Sequence, residues 1–398
     1  MQSFFFWLKM NNLRNLRNLR YLGYFNYPRQ LLACLLLACT QFVGVSAQAA
    51  DAIVIGRSLT LTGPLKGYGE AKRDGGDAYI SKINAAGGIG GRPIELVTLD
   101  DAYLPANAVA NFKKLAQENQ PVAFLGLFGV PTSAAAMPLV AELKIPLVGL
   151  SSGSAAVRKP FNRYVFPVRA SYADEARKLV SHVGVSGITK VGVVYMDNPF
   201  GESLRDALLA ALKDAGVAAT VVKVDAAGAT VAAAAAQVVA AQPQAIFLGV
   251  LAGIGIPLHT ELKKASFRGA MYSFSTLDAT AVTKALGAQA MGLGISQVFP
   301  IPRGVRVKIV ADYVQAVKAL GRGTPSFYGL EGFVEARVLV EGLRRAGARP
   351  TPASLVNALE TLRDFDVGGF FVNYRPDAHD GSNFVEIDVI NSAGEVAR

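Results

Sequence analysis

From Ala52 onward, short apolar runs alternate with amphipathic stretches of helix length, and that rhythm leaves few folds open. AIVIGRS (52–58) reads as a strand, and GEAKRDGGDAYISKINAAGG (69–88) as a helix stopped by Gly87-Gly88. PIELVTLDD (93–101) reads as a strand, PANAVANFKKLAQEN (105–119) as a helix opening on proline, PVAFLGLFG (121–129) as a strand. TSAAAMPLVAELK (132–144) and IPLVGL (145–150) add one more helix and strand. Such alternation implies a parallel sheet with helices on both faces. Strands covered on both sides read as unbroken apolar runs, as these do.

A second cycle of similar size follows YVFPVRAS (164–171). Helices are expected over 173–184, 201–216, 230–241, 257–265 and just after Asp278. They precede the strands KVGVVYMD (190–197), VAATVVKV (217–224), QAIFLGVL (244–251), GAMYSFS (269–275) and GLGISQVFP (292–300). Three helices then come in near succession, Val305–Leu320, Tyr328–Ala346 and Pro352–Leu362. GGFFVNY (368–374) and NFVEIDVI (383–390) close the chain as strands. With 398 residues, each cycle has enough chain for its own core.

Residues 1–50 read as a cleaved leader. Arg29 precedes the apolar stretch LLACLLLACTQFVGVSAQAA, and Ala47-Gln48-Ala49 fits an A-x-A cleavage site. The apolar run is broken by Thr40 and Gln41, short of the about 20 apolar residues a span needs. Leu36-Leu37-Ala38-Cys39 is a looser match to a lipid-anchor site, which makes an anchor at Cys39 the alternative. Both cysteines, Cys34 and Cys39, fall in this leader, so the mature chain has no thiol nucleophile and no cysteine-ligated metal. The formal charge is +10, yet five of the 40 basic residues lie in residues 1–49, which hold no acid. The remainder shows no basic stripe to meet phosphates, which argues against nucleic acid as a partner.

Gly149-Leu150-Ser151-Ser152-Gly153 fits G-x-S-x-G, the nucleophile elbow of α/β-hydrolases. An elbow leads into a long helix, whereas SAAVRK is stopped by Pro160. A hydrolase also needs a base. His182 and His259 lie in expected helices, and His379 in a turn; the order Ser151, Asp366, His379 is the formal triad. The three histidines show no metal-ligand spacing. GGIGGRP precedes a strand, and LAGIGIP lacks a third glycine in register, so neither is a dinucleotide loop. The chain is therefore read as a binder without catalytic residue, cofactor or metal. An exported serine hydrolase using Ser151 remains the alternative.

Taken in order, LTGPLKGYGE, INAAGGIGGRPIELVTLDDAYLPANAVANFKKL, VVYMDNPFGES and LVEGLRRAG resemble type I periplasmic solute-binding proteins. The resemblance is to the branched-chain amino-acid-binding family of ABC importers and covers Asp51–Arg398. It implies two doubly wound parallel-sheet lobes joined by a three-strand hinge. One lobe takes 51–169 and 302–366, the other 170–301 and 367–398. It further implies a monomer that traps a small solute in the interlobe cleft and delivers it to an inner-membrane ABC permease. A sensor feeding a signalling receptor fits the same pattern.

Ligands of open α/β sheets bind at the carboxyl ends of the strands. Thr132 and Ser133 open a helix there, where hydroxyls and free amides suit a carboxylate. Ser151, Ser152 and Gly153 form a second arc, and each of these residues reads equally as a cap or turn. By resemblance Tyr68 and Phe200 cover the ligand from the two lobes, with Phe200 in place of a tyrosine. Tyr172 lies at the first crossover, and Glu331 sits in a late helix, facing the cleft or solvent. Where the family places a carboxylate for the ligand's ammonium, this sequence has Thr276, with Asp278 two residues on. A carboxylate-bearing solute without an ammonium therefore competes with an α-amino acid.

Overall fold

The computed structural model describes residues 51–398. The expected leader, its Ala47-Gln48-Ala49 site and Cys39 lie outside the described residues. The first sheet contains β1 (Ile53–Leu59), β2 (Ile94–Asp100), β3 (Ala123–Leu125), β4 (Leu147–Val148) and β5 (Val165–Phe166). All pair in parallel, in the order β2-β1-β3-β4-β5. The connections are α1 (Lys66–Ala85), α2 (Pro105–Glu118) and α3 (Val130–Leu143).

After β5 the chain crosses over and enters α4 (Tyr172–Val185). It continues as β6 (Lys190–Met196), α5 (Pro199–Asp214), β7 (Ala218–Val224), α6 (Val231–Ala240) and β8 (Ala245–Gly249). Then come α7 (Ala252–Lys264), β9 (Ala270–Ser273), α8 (Ala279–Leu286) and β10 (Leu293–Gln297). These strands form a second parallel sheet in the order β7-β6-β8-β9-β10. The sequence places the start of α7 at Pro257, but the helix begins a turn earlier. The amide lost at Pro257 costs one hydrogen bond, and burial of Ile254 and Leu258 offsets it.

The chain then returns as α9 (Lys308–Leu320), α10 (Phe327–Ala346) and α11 (Pro352–Leu359), whose apolar residues share a core with α1 and one face of the first sheet. The opposite face packs on α2 and α3 through Phe112, Phe124 and Leu147. Fifteen of the 20 residues of α10 are buried, Glu331 and Glu335 among them. Close backbone approach of α1 and α10 requires glycine: a Cβ on Gly75 would lie 1.8 Å from Gly329 O, and one on Gly332 2.2 Å from Lys72 O.

Beyond α11, β11 (Phe365–Asp366), β12 (Phe371–Arg375) and β13 (Ala378–Gly381) make a small antiparallel sheet. Finally β14 (Glu386–Ile390) pairs antiparallel with β10, and β15 (Val396–Ala397) with β14. The expected last crossover at 366/367 is corrected by packing. Val367, Phe370, Val372 and Tyr374 lie in the first core, so the chain changes lobes between Gly381 and Glu386. That tether is bound to the first crossover: Ser382 N donates to Val168 O at 3.0 Å, and the Tyr374 hydroxyl to Pro167 O at 2.9 Å.

Phe333 of α10 is fully buried, with Tyr79 edge-on at 5.0 Å and Tyr313 at 5.5 Å. Phe333→Ala should cost about 3–5 kcal/mol, seen as a lower urea midpoint with an unchanged slope.

Candidate functional site

The carboxyl ends of the first sheet are braced by two adjacent acids. Asp100 accepts from Leu61 N (2.8 Å), the Thr62 hydroxyl (2.5 Å) and Ala102 N (2.9 Å). Asp101 is fully buried and accepts from the hydroxyls of Ser58 (2.9 Å) and Thr60 (2.8 Å) and from Tyr103 N (2.9 Å). The turns after β1 and β2 are thereby fixed, and with them two aromatic rings. Tyr68, in the first turn of α1, stacks on Phe128 at 4.9 Å and meets Tyr328 edge-on at 4.8 Å. Tyr103 lies against Phe128 at 5.5 Å. Gly129 has φ +87°, and a Cβ there would lie 2.3 Å from the Tyr103 ring, so the aromatic cluster requires glycine.

This cluster reaches the second lobe. The Tyr68 hydroxyl accepts from Ala252 N, at the start of α7, at 3.4 Å. Burial and then the nearby Asp278 charge push the Tyr68 phenol up. Burial likewise raises the Tyr328 phenol, again with Asp278 among its neighbours. The Asp278 charge thus acts on both phenols. Asp278 adopts φ +55°, caps α8 by accepting from Thr280 N at 3.1 Å, and is itself pushed up by burial.

The serine arc lies beside the start of α3. Ser151 N donates to Leu127 O at 2.7 Å and Gly129 N to Ser151 O at 3.3 Å, which bridges the loops after β3 and β4. Ser152 is fully buried, and its hydroxyl accepts from Ser154 N at 3.3 Å. A Cβ on Gly153 would lie 2.5 Å from the Tyr172 ring, so this close approach requires glycine. Tyr172 N in turn donates to Gly153 O at 2.8 Å. The Ser203 hydroxyl of α5 donates to that of Ser154 at 2.7 Å, joining the lobes. In α3 the Thr132 hydroxyl turns back onto Phe128 O, so Thr132 is engaged within its own turn. The Ser133 hydroxyl is buried with no protein partner. So is the Thr276 hydroxyl on the second lobe.

Behind the arc are buried charges; the sequence reading singles out Glu331 and, at the first crossover, Arg169 as a hinge or cleft residue, but passes over Lys72, Glu335 and Glu175. The Lys72 ammonium donates to the Ser151 hydroxyl at 2.8 Å and to Glu335 at 2.7 Å, with Glu331 at 3.7 Å. Glu331 is only 2% exposed, so it is not a solvated acid. Arg169 donates to Glu175 at 3.0 Å and to the Ser275 hydroxyl at 2.5 Å. The other Glu175 oxygen accepts from Ser275 N at 2.9 Å and from the Ser296 hydroxyl at 2.6 Å. Lys72 lies on the apolar stripe of α1 with Gly76, Tyr79 and Ile83. A lysine in that register was the available signal for a buried partner.

Phe200 is 3% exposed and belongs to the second lobe's core, so it does not sit as an open cover. Its neighbours Pro199 and Ser203 border an open groove of about 1280 Å³, which Val130, Gly153 and Tyr172 also line. The formal triad is not assembled. Ser151 meets Lys72; Asp366 accepts from Gly368 N (2.7 Å) and Gly369 N (2.6 Å); His379 Nδ1 contacts Val165 O at 2.9 Å. Among the described residues no group of His, Cys, Asp and Glu side chains could hold a metal.

A family model described as periplasmic binding protein matches residues 52–392. An amino acid binding protein of Pseudomonas aeruginosa is 31% identical over 46% of this chain, which spans about half (49%) of that relative. A Leu/Ile/Val-binding protein homolog of Brucella melitensis is 23% identical over 83% of this chain and 88% of its own length. The crystal structure of a substrate-binding periplasmic protein from Ralstonia solanacearum is 31% identical, with a TM-score of 0.80 over 87% of this chain and 99% of that one.

Arg169→Met should leave Glu175 buried without its cation. Breaking a buried pair from one side costs about 3–5 kcal/mol, to be measured by urea denaturation against the wild type.

Proposed function

Since the chain belongs to the periplasmic binding protein family, we propose that it traps an amino-acid-type solute between its lobes and hands it unchanged to an inner-membrane ABC permease. One observation carries this reading. Ser133 and Thr276 present buried hydroxyls without protein partners from opposite lobes, at the carboxyl ends of the two sheets. The solute's carboxylate is assigned to the Ser133 hydroxyl and the first-turn amides of α3. A helix N-terminus supplies both donors and a favourable dipole there. Ser152, Gly153 and Tyr172 border that seat, and Tyr68 closes over it with Phe128 and Tyr328.

The ammonium is assigned to Asp278, the carboxylate whose charge acts on the Tyr68 and Tyr328 phenols. Thr276 replaces the usual acid two residues earlier, and an ammonium with no counter-charge in a closed cleft would be costly. Hydrogen bonds to charged groups contribute about 1.5–3 kcal/mol each. Three of them with a buried apolar body approach the about 8 kcal/mol of a micromolar complex. The names of the Pseudomonas and Brucella relatives support an amino-acid ligand. The lobes hinge at the three crossovers, and the leader exports the chain to the periplasm.

A thermal-shift panel of residues 51–398 against leucine, valine, aromatic acids and dicarboxylates tests this. A true ligand at 100 times its Kd should add about 2.7 kcal/mol of stability. Ser133→Ala should weaken binding about tenfold, the loss of one bond to a charge. Asp278→Asn should weaken amino acids and spare acids that lack an ammonium. Stabilisation by such acids alone would overturn the assignment of Asp278.

A further inference from the structure

Gly126 and Gly149 follow β3 and β4 with φ +73° and +72°, and both open onto the same buried ion pair. A Cβ on Gly126 would lie 2.8 Å from the Lys72 side chain, and one on Gly149 2.2 Å from the Glu335 carboxyl. Lys72 comes from α1 and Glu335 from α10, the two helices whose glycines allow backbone contact. Lys72 is 3% exposed and Glu335 1%. Their only continuation toward the cleft is the 2.8 Å bond from the Lys72 ammonium to the Ser151 hydroxyl. The G-x-S-x-G spacing thus has a physical account: Gly149 admits Glu335, Ser151 receives Lys72, and Gly153 admits Tyr172.

We propose that Lys72 and Glu335 are positioning residues of the solute cradle: from behind the first sheet they hold Ser151, and so fix the arc from Ser151 to Ser154 that borders the carboxylate seat. The inference rests on the cleft being the binding site. An alternative use of the same atoms, a serine–lysine nucleophile, is disfavoured by geometry. The Lys72 nitrogen donates both to Ser151 and to Glu335 at 2.7 Å, with Glu331 at 3.7 Å, so its hydrogens point at these acceptors and it is not set as a base toward Ser151.

The pair also makes the underside of the cradle sensitive to pH. Glu335 is faced by Lys72 of α1, Glu331 of its own helix, Arg169 of the first crossover and Tyr374 of β12. Arg57 of β1 lines the same small cavity as Lys72 and Glu335. Burial pushes the Glu335 carboxyl up to about 8, opposed by Lys72 and reinforced by Glu331. The folded chain therefore holds a proton that the unfolded chain releases near the ordinary glutamate range. The associated stability is fully present below that range and is lost as pH rises through about 8.

Lys72→Met and Glu335→Gln separate the roles. L-leucine is the binding probe, followed by calorimetry at pH 7, and unfolding of each protein is followed from pH 5 to 9. Lys72→Met should bind leucine at least tenfold more weakly while still melting cooperatively. Glu335→Gln keeps an acceptor for Lys72 but holds it less firmly, so it should bind leucine more weakly than the wild type and more tightly than Lys72→Met. It should also lack the wild type's decline in stability as pH rises toward 9. Wild-type affinity in Lys72→Met, or stability profiles of wild type and Glu335→Gln that run parallel, would overturn the inference. If Lys72→Met does not fold, the leucine affinity of Glu335→Gln decides, and wild-type affinity there overturns the inference. If leucine fails to bind the wild type, the proposed ligand fails, and the two variants are compared with whichever acid of the thermal-shift panel stabilises the wild type.

Discussion

A guanidinium that leaves water must find its counter-charge and its acceptors inside the protein, and Arg169 does so at the point where the chain first changes lobes. Glu175 supplies the charge, and Ser275 N and the Ser296 hydroxyl satisfy the remaining carboxylate oxygen. One acid thus joins the first crossover, the start of α4, the turn after β9 and the strand β10. A buried pair of this kind is weak as a source of stability, because desolvation offsets most of the attraction. Its value lies in geometry. It ties the first crossover to the carboxyl ends of β9 and β10.

The polar lining of the cleft divides into hydroxyls with internal partners and hydroxyls without. Thr132 bonds its own turn, Ser151 receives Lys72, and Ser154 receives Ser203. Ser133 and Thr276 have no such partner. Because an unmet buried polar group costs free energy, the two groups differ in what they contribute. The first set shapes the site, and the second leaves recognition to whatever the lobes enclose.

The strands and most helices were legible because parallel strands buried on both faces are continuous apolar runs, and the helices between them carry an apolar stripe. The start of α7 was misread because Pro257 breaks the pattern without breaking the helix. β11, β13 and β15 are two to four residues long, with no periodicity to find. In the site, the loops after β1, β3 and β4 were legible from spacing. The direction of individual hydroxyls was not, since sequence does not reveal that Thr132 turns back while Ser133 does not. Phe200 was expected as a cover by analogy; it is buried and belongs to the second lobe's core. Lys72, Glu175 and Glu335 escaped notice because charged side chains are expected at the surface. Lys72 and Glu335 are buried as a pair drawn from distant stretches of sequence, and Glu175 with Arg169, Ser275 and Ser296.

The bond from Ser382 to Val168 gives the fold a mechanical asymmetry. Two of the three tethers between the lobes are stitched together near the small antiparallel sheet, while the third, at Val298–Ile301, runs alone. A paired ribbon resists twisting far more than a single strand does. On the hinge motion proposed above, the joined pair would move as one, which favours bending over twisting.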